Sequence, residues 1–113
     1  MWGTVELEPE VVRWLSGLSD KAFGQVEFVV DRLASEGPLL GEPHTRHLTG
    51  KVRELRFGID GERWRITYYF AQSRRIILLT VFKKTGRQER REVDRAVRAY
   101  NACLRAGHTA EED

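Results

Sequence analysis

The chain has one cysteine among its 113 residues, Cys103, so no internal disulfide can form. That fits a reducing compartment, and the cytoplasm is the expected location. No apolar run approaches the length of a membrane span, so no membrane is expected among the partners. Met1-Trp2-Gly3-Thr4 leads straight into a charged segment, so no signal peptide is expected. There is no acidic cluster of the kind that holds two catalytic metals, which counts against a metal-dependent nuclease. His44 and His47 stand three apart, but no third ligand lies close by in sequence and no cysteine accompanies them. They read as polar loop residues, and neither a metal nor a cofactor is expected. No internal repeat and no low-complexity segment occurs. The length suits one domain, residues 1–106, large enough to bury a core without staples. Residues 107–113 form an acidic tail, expected to be disordered.

What the chain does have is charge, unevenly placed. The formal net charge is only +2. Residues 1–50 carry a balance of −4, residues 51–106 a balance of +9, and the tail −3. Such asymmetry points to a nucleic acid or another polyanion as partner.

The basic part centres on Val52 to Lys84, which reads as three short strands in a meander. The breaks fall at Gly58-Ile59-Asp60-Gly61 and at Ala71-Gln72-Ser73-Arg74. Alternation places Leu55 and Phe57 on one face of the first strand, and Val52, Glu54 and Arg56 on the other. On the second, Trp64, Ile66, Tyr68 and Phe70 share a face; Arg63, Arg65, Thr67 and Tyr69 share the opposite one. This predicts an apolar face for helices and a basic, aromatic face left open. The third strand, Arg75 to Lys83, is apolar on both faces, so it should be well covered, and its register is not readable from pattern.

Ahead of the meander, Trp2 to Leu7 suits an opening strand. Pro9 suits the first turn of a short helix ending near Gly17. Ser19 can cap a second helix, Asp20 to Glu36, with Ala22, Val26, Val29, Val30 and Leu33 at helical spacing. Gly37-Pro38 stops it, and Leu39 to Gly50 reads as a loop. After the meander, Thr85-Gly86-Arg87-Gln88 is a basic linker, and Glu89 to Arg105 reads as a helix whose apolar stripe packs on the core or seats a partner. The fold class is α+β: an N-terminal strand and helical hairpin on a small, mainly antiparallel sheet, with a C-terminal helix.

Several pieces occur in a telling order: Leu48-Thr49-Gly50-Lys51-Val52-Arg53-Glu54-Leu55-Arg56-Phe57, then Arg65-Ile66-Thr67-Tyr68, then Leu78-Leu79-Thr80-Val81-Phe82-Lys83-Lys84-Thr85, then a helix with Glu92 and Ala96. In this the chain resembles the RelE/HigB superfamily of bacterial toxins, in particular its phage-derived HigB-like branch. The resemblance covers about the last two-thirds of the chain, and the helical hairpin sits where the family has one. It implies a RelE-like fold and the toxic half of a type II toxin–antitoxin pair: an mRNA interferase that is metal-independent and cuts mRNA on the ribosome. It also implies a cognate antitoxin with a helix-turn-helix domain, HigA-like. By position it implies Arg56, Arg65, Lys83 and Lys84 as functional cations, with Tyr68 and Phe82 as neighbouring aromatics. The chain departs from many relatives in having Thr80 where they have histidine, and Gln88 or Glu89 where they have a linker proline.

The residues support such chemistry by themselves. RNA carries its own nucleophile, the 2′-hydroxyl. Cleavage needs that oxygen aligned, a base for its proton, charge stabilisation on the phosphorane, and a proton for the leaving 5′-oxygen. Arg56 and Arg65, on one face by parity, suit a forked clamp on the phosphate. Lys83 or Lys84, packed among cations, is the candidate acid or base. Tyr68 falls on the predicted core face, while Tyr69, beside Arg65 by parity, suits stacking on a base. Arg53, Arg63 and Arg87 complete the expected RNA-binding surface. Two other readings stand beside this one: a ParE-like toxin that binds DNA gyrase without catalysis, and a nucleic-acid-binding protein. Each arginine taken singly could instead pair with Glu54 or Glu62 across strands.

Overall fold

The computed structural model describes residues 1–107. The rest of the acidic tail, 108–113, lies outside the described residues, and so does its expected disorder. Strand β1, Thr4–Leu7, leads into helix α1, Pro9–Ser16, which opens on its proline. Helix α2 runs Asp20–Glu36; Ser19 caps it, its hydroxyl accepting the Ala22 N–H at 3.1 Å. Gly37 ends it with a positive φ of 55°. A side chain there would run into the Trp2 ring, so glycine is required twice over.

Four strands follow: β2, Thr45–Thr49; β3, Val52–Ile59; β4, Glu62–Ala71; and β5, Arg75–Lys83. Helix α3, Glu89–Arg105, closes the fold, with Glu89 and Glu92 in its first turn and Arg105 in its last, as the helix dipole favours. The sheet order is β1-β5-β4-β3-β2. Only β1 runs parallel to its neighbour; the other pairings are antiparallel. The α+β class and its mainly antiparallel sheet stand as expected.

Three features differ from the sequence expectation. The stretch Leu39 to Gly50 is not all loop: Thr45–Thr49 pairs with β3, setting Thr45 opposite Leu55 and Arg46 opposite Glu54. The segment TRHLT hides as a strand because it lies at the sheet edge, where polar residues face solvent. Strand β3 extends to Ile59, and the turn shrinks to Asp60-Gly61, both with positive φ, as a two-residue hairpin demands. The face expected to be open is also half covered, because α3 lies on it.

The sheet therefore has two cores. Helices α1 and α2 pack Val11, Val26 and Leu33 against Leu55, Ile66, Tyr68, Ile76 and Leu78. Trp14 of α1 meets Trp64 at 5.2 Å and Phe57 at 6.2 Å between ring centroids. On the other face α3 sets Cys103, Ala99 and Tyr100 over Tyr69, Ile77 and Leu79. Strand β5 is buried from Ile76 to Phe82, as its two apolar faces predicted. Its register breaks once: Thr67 pairs with Thr80, but Tyr68 pairs with Leu78. Leu79 is the extra residue of a bulge, so Leu79 and Thr80 both turn toward α3, and simple alternation fails there.

Candidate functional site

On the sheet face that α3 packs against, three neighbouring strands form a largely buried polar patch, open to solvent mainly at Arg56. Arg56 of β3 stands opposite Arg65 of β4, and Arg65 opposite Phe82 of β5. One rung along, Glu54 stands opposite Thr67, and Thr67 opposite Thr80. The pleat sends all six side chains to the same face.

Glu54 is the centre of this patch, and it is only 4% exposed. Its Oε2 lies 3.1 Å from Arg56 Nε and 3.6 Å from Arg65 Nε. Arg65 is also buried, and its Nη1 donates to the Trp64 carbonyl at 2.9 Å. Burial lowers the Arg65 pKa; Glu54 opposes the shift, while Arg56 and Arg63 add to it. Arg65 is thus a desolvated cation held chiefly by Glu54, with Glu89 adding to its hold. Arg56 is looser, with a quarter of its side chain exposed. Sequence reasoning treated Glu54 only as a partner for arginines. Its parity with Arg56 was the available signal, but its burial between two guanidinium groups appears only in three dimensions.

The other expected site residues divide. Lys84 falls on the Arg65 side by register: its backbone N–H bonds the Arg63 carbonyl at 2.8 Å, which continues the β4–β5 ladder, while its Nζ donates to the Gly86 carbonyl at 3.4 Å. Arg63, exposed, borders the same face, and Arg87 is exposed in the linker before α3. Lys83 does not join them. It stands opposite Trp64, on the α1 and α2 face, and its Nζ donates to Glu62 Oε2 at 3.0 Å. Arg53 stands opposite Tyr68 on that same far face. Phe82 is on the patch side but almost wholly buried, so it forms a floor and not a free stacking surface.

The two tyrosines are corrected. Tyr68 is fully buried under α1 and α2. Tyr69 is on the Arg65 face, but α3 seals it: its ring meets Tyr100 edge-on at 4.7 Å and its hydroxyl contacts Cys103 Sγ at 3.1 Å. Neither ring has a face for a nucleobase. Thr80, where many relatives have histidine, is also buried, with its hydroxyl 2.5 Å from that of Thr67.

The histidines engage separate partners. Arg32 Nη1 donates to His44 Nε2 at 3.2 Å, and His47 Nε2 lies 2.7 Å from the Gly50 carbonyl. Among the described residues, no group of three or more histidine, cysteine or carboxylate side chains could hold a metal, and no helix is long and apolar enough to cross a membrane. What the patch offers is a buried carboxylate, a candidate proton acceptor, beside two guanidinium groups that can bind and stabilise phosphate charge, with Lys84 on the same side by register.

A small antiparallel sheet with an N-terminal helical hairpin, a C-terminal helix and a basic face is the RelE-like fold. A double arginine-to-alanine mutant of the Escherichia coli toxin RelE, solved in the free state, superposes with a TM-score of 0.60 at 15% identity, over 87% of this chain and 97% of that one. The RelBE2 toxin–antitoxin complex from Mycobacterium tuberculosis matches with a TM-score of 0.54 at 22% identity, over 74% of this chain and 100% of the matched one. In sequence, residues 13–101 match the family of phage-derived Gp49-like proteins. HigB3 of Mycobacterium tuberculosis, named as a candidate toxin, is 34% identical over 90 residues, which cover 76% of this chain and 77% of HigB3. The chain belongs to the Gp49-like family, within the RelE/HigB superfamily.

Proposed function

We propose that this protein is the toxin of a type II toxin–antitoxin system and acts as a metal-independent endoribonuclease on mRNA. The observation that carries the reading is the convergence of Arg56 and Arg65 on buried Glu54. The kinship with HigB3 and the fold shared with RelE and RelBE2 support it.

In this mechanism the scissile phosphate docks against Arg56 and Arg65. Arg56, the more exposed of the two, swings from Glu54 to the phosphate and frees one carboxylate oxygen. Glu54 then takes the proton of the 2′-hydroxyl as that oxygen attacks phosphorus. The guanidinium groups stabilise the phosphorane in a site poor in water. Lys84 gives a proton to the departing 5′-oxygen. The products are a 2′,3′-cyclic phosphate and a 5′-hydroxyl end, and protons balance between Glu54 and Lys84. The ribosome positions the mRNA, and a helix-turn-helix, HigA-like antitoxin holds the toxin silent in the cytoplasm.

The test is expression without an antitoxin, with the 5′ ends of transcripts mapped. Growth arrest with new 5′-hydroxyl ends inside translated frames, lost in Glu54→Gln and Arg65→Ala, is expected. Arrest with intact mRNA would instead favour a ParE-like gyrase poison. Absence of arrest would leave a nucleic-acid-binding protein.

A further inference from the structure

Beside the patch, on the α2 side, lies a cavity of about 590 Å³. Arg56 belongs to both: it lines the cavity and touches Glu54. We propose that this cavity is a nucleotide subsite, holding a base that flanks the scissile phosphate. The proposal rests on the ribonuclease reading above and deepens it.

The wall is one face of α2. Lys21, Gly24, Gln25, Phe28 and Arg32 recur at helical spacing along it. The facing wall comprises Leu40, His44, Phe57 and Gly58. Strand β2 begins at Thr45, and the Arg56 N–H bonds the His44 carbonyl at 2.8 Å; the chain ahead of His44 does not pair with β3, and the opening lies there. The volume falls within the roughly 300–1,000 Å³ of small-molecule sites.

Two observations select a nucleotide. The first is chemical. None of the residues lining the cavity is acidic, whereas Lys21, Arg32 and Arg56 are cationic; Arg32 is paired with Glu36 at 2.8 Å and Arg56 with Glu54 at 3.1 Å, both carboxylates lying outside the lining. Walls of one charge sign concentrate an anion inside a cleft. Phe28 is 73% exposed, an apolar ring in water beside those cations. An aromatic ring among cations is how single-stranded nucleotides are commonly held, base on ring and phosphate on cation.

The second is Gly24. A glycine inside a helix costs about 0.5–1 kcal/mol against alanine. Here no packing explains it, because a Cβ at Gly24 would meet nothing within 4 Å. The missing side chain keeps the cavity wall flat. A planar ring can then lie along α2 between Phe28 and Phe57.

The test titrates the four nucleoside 5′-monophosphates into the full-length protein and follows amide shifts, then maps cleavage ends. At least one monophosphate should shift Gly24, Phe28 and Gly58. Gly24→Leu, which fills open space and favours helix, should weaken that binding at least tenfold, as should Phe28→Ala. Glu54→Gln should still bind while failing to cut. In the transcript map, Gly24→Leu should flatten the base preference next to the cut. Monophosphate binding without RNA cleavage by the wild type would overturn the ribonuclease reading and keep the pocket as a nucleotide site. Cleavage by a folded Gly24→Leu variant with unchanged rate and base preference would overturn the subsite alone. So would unchanged nucleotide shifts with antitoxin binding lost, which would give the cavity to a protein partner.

Discussion

Arg56 and Arg65 face each other across β3 and β4 and lean on the same oxygen, Glu54 Oε2. Two like charges are held side by side because one buried carboxylate stands between them. Remove that charge and Arg65 is left desolvated, with only Glu89 of α3 to offset its charge. Glu54→Gln should therefore cost about 1–3 kcal/mol of stability, read by urea unfolding. It should also slow RNA cleavage roughly 100-fold or more. Adding Arg65→Met to Glu54→Gln should restore part of the stability and none of the activity. A Glu54→Gln toxin that arrests growth as fast as the parent would remove this carboxylate from the reaction.

The two lysines at the end of β5 should separate in function. Lys84 returns to the Arg65 side, while Lys83 is turned away and paired with Glu62. Lys84→Ala is expected to lower cleavage by roughly 100-fold or more. Lys83→Ala should stay within a few-fold of wild type, with stability changed by no more than about 1 kcal/mol, since its ion pair is exposed. The measurement is single-turnover cleavage of a translated message. Equal losses in both variants would count against the assignment by strand register.

Much of this architecture was legible in the sequence, and the gaps have physical causes. Helices Asp20–Glu36 and Glu89–Arg105 match their expected bounds residue for residue. Ser19 and Gly37 punctuate the first, and apolar periodicity marks the second. The shared face of Arg56 and Arg65 followed from a period of two. Strand β2 did not, because an edge strand buries little and TRHLT lacks alternation. The apolar stripe of α3 was visible, but not the surface it covers, so Tyr69 read as open when Tyr100 and Cys103 seal it. The break in register at Leu79 has no local signature, and beyond it parity alone could not say which lysine faces the arginines.

Tyr68 gives the fold an alkaline limit. Burial raises its pKa above the usual tyrosine value, and Arg53 and Thr45 only partly offset this. A raised acid pKa means the folded state keeps a proton that the unfolded state gives up. Stability from this group is complete below about pH 10 and falls as pH climbs through the raised value. The Tyr68 hydroxyl is buried without a hydrogen-bond partner among the described residues, so Tyr68→Phe should change stability at neutral pH by no more than about 1 kcal/mol. Its unfolding free energy should then decline less steeply above pH 10 than that of wild type. Parallel pH profiles for the two proteins would show that another group sets the limit.

Arg95 joins three elements at the bulged strand. Its Nη1 reaches Glu10 Oε1 at 2.5 Å, its Nε reaches Glu92 Oε1 at 3.0 Å, and its Nη2 donates to the Val81 carbonyl at 3.0 Å. Glu10 accepts the Val81 N–H with its other oxygen at 2.9 Å. One residue of β5 is thus clamped from both sides by α1 and α3, just past the Leu79 bulge. Burial works against the Arg95 charge, but Glu10 and Glu92 outweigh it and its pKa is raised. Arg95→Met keeps the stem packed and removes every polar contact, so it should cost about 1–3 kcal/mol. Arg95→Lys should recover little, because one ammonium cannot span three fixed partners in a plane. Hydrogen exchange should localise the loss: the Val81 amide should exchange faster, while the β3–β4 pairs hold. A loss that vanishes in molar salt would mark these as ordinary surface charges, whereas persistence of most of it is expected of partly buried pairs that are also held by hydrogen bonds.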